Sequence, residues 1–404
     1  MTEQTYFRKG FGLRDAIQGA LAGDYHSAIV DEVRTRGYEL AVDGVTVRLA
    51  REFGFCYGVD RAVEYAYETR RKFPERRIFL VGEIIHNPHV NSKLASMGIV
   101  IIARGPSAEF DFASITRDDV VILPAFGVTK ADFDRLREVG CVLVDTTCGS
   151  VLNVWKRVES YARDGFTALI HGKYVHEETK ATASQVTKYS GGKYLVVRNM
   201  EEAQLVCAAI ERGSGRQTLA QRFARAASPD FDFDADLGRI GVANQTTMLS
   251  GESLAIAGEV RRAIARRWGE AEAERRFRSF DTICSATQDR QDAVLRMLEG
   301  GVDVAVVIGG YNSSNTTHLA ALCAERVRTY HVEDSACLDV VRRAIRHRPV
   351  GAREEVSEAD WLPGGPLVVG VTAGASTPNN KVGEVIERLF QTRGIELGTA
   401  LTPE

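Results

Sequence analysis

The chain has 404 residues, of which 44% are hydrophobic and 26% are charged, and its formal net charge is −3. This length predicts two or three domains, and the composition is that of an ordinary globular protein. The near-neutral charge excludes a global basic field for nucleic-acid binding, and no apolar run approaches the roughly 20 residues that span a bilayer. We therefore expect neither a nucleic-acid partner nor a membrane partner.

The N-terminal stretch, MTEQTYFRKGFGLRDAIQGA, lacks the apolar core of a secretory signal and contains acidic residues that are atypical of transit peptides. We expect a cytoplasmic protein in which residues 1–44 form an N-terminal appendage. The seven cysteines are odd in number and have no paired spacing. In a reducing compartment they are expected to be thiols or metal ligands rather than disulfides.

Beyond the appendage, short apolar runs alternate with polar turns and helical segments. The runs that predict strands are RRIFLVG, DDVVILP, GCVLVD, FTALIH, GRIGVAN, VDVAVVIGG and PLVVGVTAG. Near-continuous Val, Ile and Leu runs are typical of parallel sheets covered on both faces, and helices such as SLAIAGEVRRAIARRW complete βαβ units. The pattern predicts an α/β fold with mainly parallel sheets, in which ligands gather beyond the carboxyl ends of the strands.

Two stretches interrupt this alternation and are interpreted as insertions or linkers. One covers residues 213–238 and follows a helix that is predicted to end near Arg212. The other is HRPVGAREEVSEADWLPGGP, directly before the last predicted strand.

Three cysteines share one sequence context. Cys56 in GFCYGV, Cys148 in DTTCGS and Cys284 in DTICSAT each follow a strand-like run or an Asp-Thr turn and open a helix. Their wide separation excludes the local CxxC spacing of zinc knuckles and ferredoxins. It fits one thiolate from each of three subdomains at a shared centre, with each thiolate stabilised by a helix N-terminus.

Three thiolates suit two kinds of centre. A [4Fe–4S] cluster held by three cysteines leaves one iron open to a substrate, and a catalytic zinc ion also takes three protein ligands. The residue pattern alone does not distinguish them. The remaining cysteines lie in apolar surroundings and are interpreted as small buried residues: Cys141, Cys207, Cys323 and Cys337.

Polar residues collect in the turns after the predicted strands. GEIIHNPHVN carries His86, and HGKYVHEET carries His176 and Glu178, where a histidine beside a glutamate can relay protons. The alternative interpretation of HEET is an ordinary solvated helix start.

Three further turns carry hydroxyl and amide side chains. They are ANQTTM with Thr246, GGYNSSNTTH with Ser313, Ser314 and Asn315, and TAGASTPNNK with Ser376. Such residues either cap helices or bind phosphate. No turn is a Walker A or GxGxxG motif, so a small diphosphate held by neutral donors and histidines is favoured over ATP or NAD.

Eight motifs together resemble one family. FCYGVDRAV, GEIIHNPHVN, DTTC, HGKYVHEET, NQTTM, DTICSATQDRQDA, NSSNT and GVTAGASTP follow the same order in 4-hydroxy-3-methylbut-2-enyl diphosphate reductases. The resemblance runs from about residue 45 to about residue 390, and YFRKGFG, PAFG and HGKY look like the longer branch of cyanobacteria and plants. Three positions depart from the family pattern: Tyr57 for tryptophan, Phe126 for the histidine of the shorter branch, and Gly149 for proline.

The resemblance implies three α/β subdomains around a pseudo-threefold axis. They would comprise residues 45–147, 148–282 and 283–375, with residues 376–404 returning to the first subdomain. One [4Fe–4S] cluster per chain would lie at the centre, held by Cys56, Cys148 and Cys284.

The implied activity is the last step of the methylerythritol phosphate route to isoprenoids, the reductive dehydroxylation of 4-hydroxy-3-methylbut-2-enyl diphosphate to isopentenyl and dimethylallyl diphosphate. Glu178 would deliver protons, assisted by Thr246 and His176. The implied substrate contacts are His86, His176, Thr246, Ser313, Ser314, Asn315 and Ser376. Ferredoxin or flavodoxin would donate electrons to a monomer or homodimer. The alternatives are an iron–sulfur sensor or electron carrier, and a zinc-dependent hydrolase.

Overall fold

The computed structural model describes residues 5–105, 109–214 and 219–399, so residues 215–218 of the predicted insertion lie outside the described residues. The chain divides into two compact units. Unit 1 comprises the described residues up to Arg8, Glu75–Gly82 and Ile99–Cys284. Unit 2 comprises Lys9–Pro74, Glu83–Gly98 and the described residues from Ser285 onward. None of the helices in these described segments is long and apolar enough to cross a bilayer.

The strands, in chain order, are β1 (Tyr6–Phe7), β2 (Glu39–Val42), β3 (Val45–Leu49), β4 (Ile78–Val81), β5 (Ile99–Ile102), β6 (Val120–Leu123), β7 (Val142–Asp145), β8 (Thr167–His171), β9 (Tyr194–Val197), β10 (Ile240–Asn244), β11 (Phe277–Ser279), β12 (Val304–Ile308), β13 (Arg328–Val332), β14 (Leu338–Asp339), β15 (Ala344–His347), β16 (Val356–Ala359) and β17 (Leu367–Ala373).

The helices are α1 (Arg14–Tyr25), α2 (Ala28–Thr35), α3 (Tyr57–Lys72), α4 (Pro88–Ser96), α5 (Lys130–Val139), α6 (Gly149–Arg163), α7 (Glu177–Ser184), α8 (Met200–Arg212), α9 (Ser250–Trp268), α10 (Glu270–Arg276), α11 (Ser285–Glu299), α12 (Ser314–Ala324) and α13 (Asn379–Thr392). Short 3₁₀ turns occur at Gln185–Lys188, Ser335–Cys337 and Leu397–Thr399.

The strands form mainly parallel sheets, which confirms the predicted α/β class. Unit 1 contains two parallel sheets, with orders β1-β7-β6-β4-β5 and β11-β10-β8-β9. Unit 2 contains the sheet β13-β12-β17-β3-β2, in which only the β2–β3 pair is antiparallel. A small antiparallel sheet, β14-β15-β16, also belongs to unit 2. The subdomain boundaries implied by the resemblance stay a prediction.

All seven apolar runs that predicted strands form strands, and α8 ends at Arg212 as predicted. The stretch HRPVGAREEVSEADWLPGGP, interpreted as an insertion or linker, contains the strand β16, which pairs with β15. This strand was not predicted because three of its four residues are exposed, so it lacks the apolar pattern of a buried strand.

Each unit has a buried core that packs against its strands. In unit 1 the ring of Tyr161 packs against β10, where a Cβ on Gly241 would lie 2.4 Å from the ring. Glycine is therefore required at this close approach, and the Tyr161 hydroxyl donates to the Val242 carbonyl at 2.9 Å. In unit 2 the largest buried side chains of the corresponding core include Trp361, Tyr330 and Phe390.

The appendage contributes an edge strand to unit 1. β1 pairs in parallel with β7, and Tyr6 lies opposite Leu143. The Tyr6 hydroxyl donates to Asp145 Oδ2 at 2.6 Å, while Asp145 Oδ1 accepts from the Thr147 amide at 3.0 Å. Asp145 is buried, so the appendage contacts the carboxylate that shapes the turn before Cys148.

Replacing Tyr6 by phenylalanine is expected to destabilise unit 1. The change removes a hydrogen bond to a buried carboxylate, which contributes about 1–2 kcal/mol. For a unit of this size, the thermal unfolding midpoint should fall by about 2–8 °C. Differential scanning fluorimetry would measure it, with Tyr57→Phe as the control because Tyr57 is 79% exposed. An unchanged midpoint for Tyr6→Phe would contradict the stabilising role.

Candidate active site

Cys148 and Cys284 lie in the same local construction within unit 1. Cys148 is the N-cap residue of α6, and its amide donates to the Ala125 carbonyl at 2.8 Å, two residues beyond the end of β6. Cys284 directly precedes α11, and its amide donates to the Thr246 carbonyl at 3.2 Å, two residues beyond the end of β10. Each cysteine is thus held at the carboxyl edge of a parallel sheet by the neighbouring strand's extension.

The repeated Asp-Thr turns also share their hydrogen bonding. Asp145 Oδ1 accepts from the Thr147 amide at 3.0 Å, and Asp281 Oδ1 accepts from the Ile283 amide at 3.1 Å. An aspartate that binds the amide two residues ahead fixes a tight turn. The DTTC and DTIC motifs therefore present their cysteines in the same way.

Cys56 repeats this construction in unit 2. It is the N-cap residue of α3, and its amide donates to the Ala375 carbonyl at 3.2 Å, two residues beyond the end of β17. The preceding turn is supported by Arg290, a buried side chain whose Nη2 donates to the Gly54 carbonyl at 2.7 Å. Sequence reasoning missed Arg290, although its place in the DTICSATQDRQDA motif was the available signal.

The three candidate cysteines are more exposed than the other four. Cys56, Cys148 and Cys284 are partly exposed, whereas Cys141, Cys207, Cys323 and Cys337 are buried, as predicted. All seven lie in the described part of the chain, and none forms a disulfide. Burial raises the pKa of the Cys141 thiol to about 11 and those of Cys207 and Cys323 to about 12.

Alkylation should separate the two classes of cysteine. In protein stripped of any bound metal, iodoacetamide at neutral pH should modify Cys56, Cys148 and Cys284 before the buried thiols. A thiol with a pKa near 12 is almost wholly protonated at that pH, and the thiolate is the nucleophile. Peptide mass spectrometry gives the order of modification. Early modification of Cys207 or Cys323 in folded protein would contradict this prediction.

Two hydrogen bonds join Glu178 and Thr246, both candidate residues of unit 1. The Glu178 side chain is buried at the start of α7. Its Oε1 accepts from the Thr246 amide at 2.6 Å, and its Oε2 accepts from the Thr246 hydroxyl at 3.0 Å. Because the Thr246 carbonyl accepts from the Cys284 amide, Glu178, Thr246 and Cys284 form one continuous chain of contacts.

His176 is the N-cap residue of the same helix. Its Nδ1 accepts from the Glu178 amide at 3.2 Å, so Nε2 carries the hydrogen in the neutral ring. Phe126 packs edge-on against the His176 ring, with centroids 6.2 Å apart. Phe126, which stands where the shorter branch of the family has a histidine, therefore places an aromatic ring beside His176. The other two residues that differ from the family pattern have open surroundings. Gly149 begins α6 with open space around it, and Tyr57 is exposed.

Gln245 is a functional candidate that sequence reasoning missed. It is buried, its Oε1 accepts from the Lys173 amide at 3.1 Å and from the Thr179 hydroxyl at 3.0 Å, and its Nε2 donates to Thr247 Oγ1 at 2.9 Å. These bonds join the turn after β8 and the helix α7 to the turn after β10. Gln245 therefore holds Glu178 and Thr246 in register, and its position inside NQTTM was the signal available.

The remaining candidates lie in unit 2. Ser313 caps α12, where its Oγ accepts from the Thr316 amide at 3.3 Å. Ser376 Oγ donates to the His86 carbonyl at 3.1 Å, and His86 Nδ1 lies 2.7 Å from Glu83 Oε2. The turn after β17 is thus joined to the turn that precedes α4.

Asn315 joins this group to Cys56. Its Oδ1 accepts from the Ala375 amide at 2.9 Å, and the Ala375 carbonyl in turn accepts from the Cys56 amide. Asn315 is only 2% exposed, yet its Nδ2 has no hydrogen-bond partner among the residues that the structure describes. A buried unpaired donor is costly, so this amide suits an anionic ligand.

The predicted residues are divided between the two units of the chain. Unit 1 holds Cys148, His176, Glu178, Thr246 and Cys284, and unit 2 holds Cys56, His86, Ser313, Ser314, Asn315 and Ser376. Among residues 5–105, 109–214 and 219–399, no three His, Cys, Asp or Glu side chains group as ligands of one metal ion.

The chain is similar to characterised proteins over nearly its whole length. A family model described as LytB protein matches residues 47–390. Two proteins named 4-hydroxy-3-methylbut-2-enyl diphosphate reductase are close in sequence. That of Gloeobacter violaceus is 49% identical and that of Gloeothece citriformis 45% identical, over 98% and 96% of this chain and 94% of each relative. Both matches extend into the N-terminal appendage.

The fold is shared with a solved structure of (E)-4-hydroxy-3-methyl-but-2-enyl diphosphate reductase, described as the terminal enzyme of the non-mevalonate pathway. The two chains are 26% identical with a TM-score of 0.52, and the match covers 86% of this chain and 99% of the other. The chain therefore belongs to the LytB protein family, as the order of its sequence motifs predicted.

Proposed function

We propose that this protein reduces 4-hydroxy-3-methylbut-2-enyl diphosphate to isopentenyl and dimethylallyl diphosphate, using a [4Fe–4S] cluster held by Cys56, Cys148 and Cys284. The names of its relatives support the reaction. The single observation that carries the proposal is the chain of contacts from the buried Glu178 carboxylate through Thr246 to Cys284. It links a buried carboxyl group, which could carry a proton, to the backbone amide of a candidate ligand.

The three cysteines suit such a cluster. Each one precedes or caps a helix at a sheet edge, is partly exposed, and has its backbone amide bound by the adjoining strand extension. Because each thiolate in a [4Fe–4S] cluster binds a different iron, the three sulfurs need not converge on one atom as they would for zinc. When bound, the cluster would supply electrons and one iron that acts as a Lewis acid.

The polar residues would supply protons and position. Glu178 would hold a proton for the leaving hydroxyl group, and the two bonds from Thr246 would fix the orientation of its carboxyl group. His176 would offer its Nε2 hydrogen to an anionic oxygen. In unit 2, Ser313, Ser314 and Asn315, together with His86 and Ser376, would bind the diphosphate through neutral and histidine donors, with the unpaired Asn315 Nδ2 as the clearest example.

The remaining features of the proposal concern partners and location. A small electron carrier such as ferredoxin or flavodoxin would reduce the protein, which would act in the cytoplasm as a monomer or homodimer. The support is the resemblance of the sequence motifs to those of the reductase family.

Anaerobic purification with iron and sulfide analysis, coupled to an assay with a chemical reductant, tests the proposal. We expect a brown protein that contains iron and sulfide and converts the substrate to both diphosphate products. A brown protein that leaves the substrate unchanged would instead identify a sensor or electron carrier. A colourless protein with stoichiometric zinc would identify a hydrolase.

A further inference from the structure

The loop between β12 and α12 carries three of the proposed diphosphate-binding residues. It begins with Gly309 and Gly310, which by themselves restrict the backbone little. The Gly309 amide donates to the Val332 carbonyl at 2.9 Å, and the Gly309 carbonyl lies 2.9 Å from His331 Nε2. The first residue of the loop is therefore tied to the end of β13, and the position of the following residues depends on other contacts.

Tyr311 provides several of those contacts, in addition to the bond between Asn315 and the Ala375 amide. Its hydroxyl donates to Glu355 Oε1 at 2.6 Å, and its carbonyl accepts from the Arg348 guanidinium. The Arg348 Cζ atom lies 4.5 Å from the centroid of the Tyr311 ring, and the His331 ring meets its face edge-on at 4.9 Å. Its carbonyl, its ring and its hydroxyl are all held.

Two of these partners belong to the hairpin formed by β15 and β16. Arg348 directly follows β15, and Glu355 directly precedes β16. The hairpin is itself anchored, because the Arg348 amide donates to the His331 carbonyl at 2.9 Å and Arg346 pairs with Glu355 at 2.5 Å. The turn of the hairpin is therefore fixed against β13 and the loop.

The charges favour these contacts near neutral pH. Partial burial alone would raise the pKa of Glu355, but hydrogen bonds from Tyr311 and Arg346 hold it below its usual range. Glu355 is thus a charged acceptor. A hydrogen bond from a hydroxyl group to a carboxylate is stronger than a hydrogen bond between two neutral groups.

We infer that the β15–β16 hairpin is a positioning device for the loop that binds the diphosphate group. By holding Tyr311, it places Ser313, Ser314 and Asn315 before the ligand arrives. This inference rests on the proposed function, because that function assigns the diphosphate to these residues. Preorganisation reduces the ordering that binding requires, so Tyr311, Arg348 and Glu355 act on affinity without touching the ligand.

Steady-state kinetics of Tyr311→Phe tests the inference. Loss of the bond to Glu355 should raise KM for the substrate about 5- to 10-fold, within the range expected for one hydrogen bond, and leave kcat nearly unchanged. Glu355→Ala also removes the ion pair with Arg346, so it should raise KM at least as much. Adding Tyr311→Phe to it should cause little further rise, because the bond between Tyr311 and Glu355 is already lost. Glu355→Gln, which keeps an acceptor oxygen, should restore most of the affinity.

Tyr330→Phe is the matched control. The Tyr330 hydroxyl lies 3.3 Å from both Glu358 Oε1 in β16 and the Trp361 carbonyl, so it contacts the same small sheet away from the loop. Its KM should equal that of the wild type. A rise equal to that of Tyr311→Phe would overturn the inference, because general damage to the sheet would then explain both.

A binding measurement separates this inference from the proposed function. Calorimetric titration of the intact, cluster-loaded protein with inorganic diphosphate should give a Kd that is about 5- to 10-fold weaker for Tyr311→Phe. If wild-type protein turns over the substrate and Tyr311→Phe shows unchanged KM and diphosphate affinity, the positioning role is overturned. If wild-type protein neither turns over substrate nor binds diphosphate, the proposed function fails and the inference fails with it.

Discussion

Replacement of any one of Cys56, Cys148 and Cys284 by alanine is expected to remove most of the bound iron and sulfide and to lower turnover by at least about 1,000-fold, because the cofactor would carry the difficult chemistry. The expectation follows from the equivalence of the three positions. Each cysteine amide donates to the carbonyl of the residue two positions beyond the end of an adjacent parallel strand. We therefore expect all three cysteines to be needed.

The control for these variants is Cys207→Ala. Cys207 is buried in α8 within the core of unit 1, and its pKa is raised to about 12 by that burial. The variant should keep its iron, sulfide and activity. Iron and sulfide analysis after anaerobic purification, with circular dichroism as a check of folding, measures the difference. A folded Cys56→Ala, Cys148→Ala or Cys284→Ala protein with a full complement of iron would contradict the proposed ligand set.

Glu178→Gln is expected to slow turnover by about 100-fold or more, the usual contribution of a positioned acid. The fold should survive. The glutamine oxygen can accept from the Thr246 amide in place of Oε1, and its NH2 group can donate to the Thr246 hydroxyl in place of Oε2. The variant therefore loses the titratable proton and keeps the hydrogen bonds.

The adjacent Glu177 supplies the matched control. It lies in the same first turn of α7, but it pairs with Arg104 and lies 3.5 Å from Lys180 instead of facing Thr246. Glu177→Gln should leave kcat within about 2-fold of the wild type, because surface ion pairs contribute little. The visible absorption of both variants should match that of the wild type. Unchanged turnover of Glu178→Gln would remove Glu178 from its proposed role.

Much of the fold could be predicted from local patterns. The strands β4, β6, β7, β8, β10, β12 and β17 are buried parallel strands, and their continuous apolar runs are the signal that such strands give. The strands that were missed have weaker signals. In β16 the exposed Val356, Ser357 and Ala359 carry no apolar alternation. The connection to β15, residues 348–355, is also longer than the short turns that mark a hairpin in a sequence.

The candidate site shows the same division. Turn chemistry marked the cysteines and Glu178, because Asp-Thr turns and helix starts have local signatures. Gln245 and Arg290 escaped notice because their roles depend on partners far along the chain, at Lys173 and Gly54. A buried arginine or glutamine is recognisable only once its acceptors are known.

The two residues of β1 have a consequence beyond the hydrogen bond of Tyr6. They lie along β7, which would otherwise be the outermost strand of its sheet. An uncovered strand of this kind, with every residue buried in the intact chain, is a template for pairing between molecules. By covering the edge of β7, the N-terminal segment should hinder pairing between molecules. We expect a shortened chain that lacks this segment to aggregate more readily.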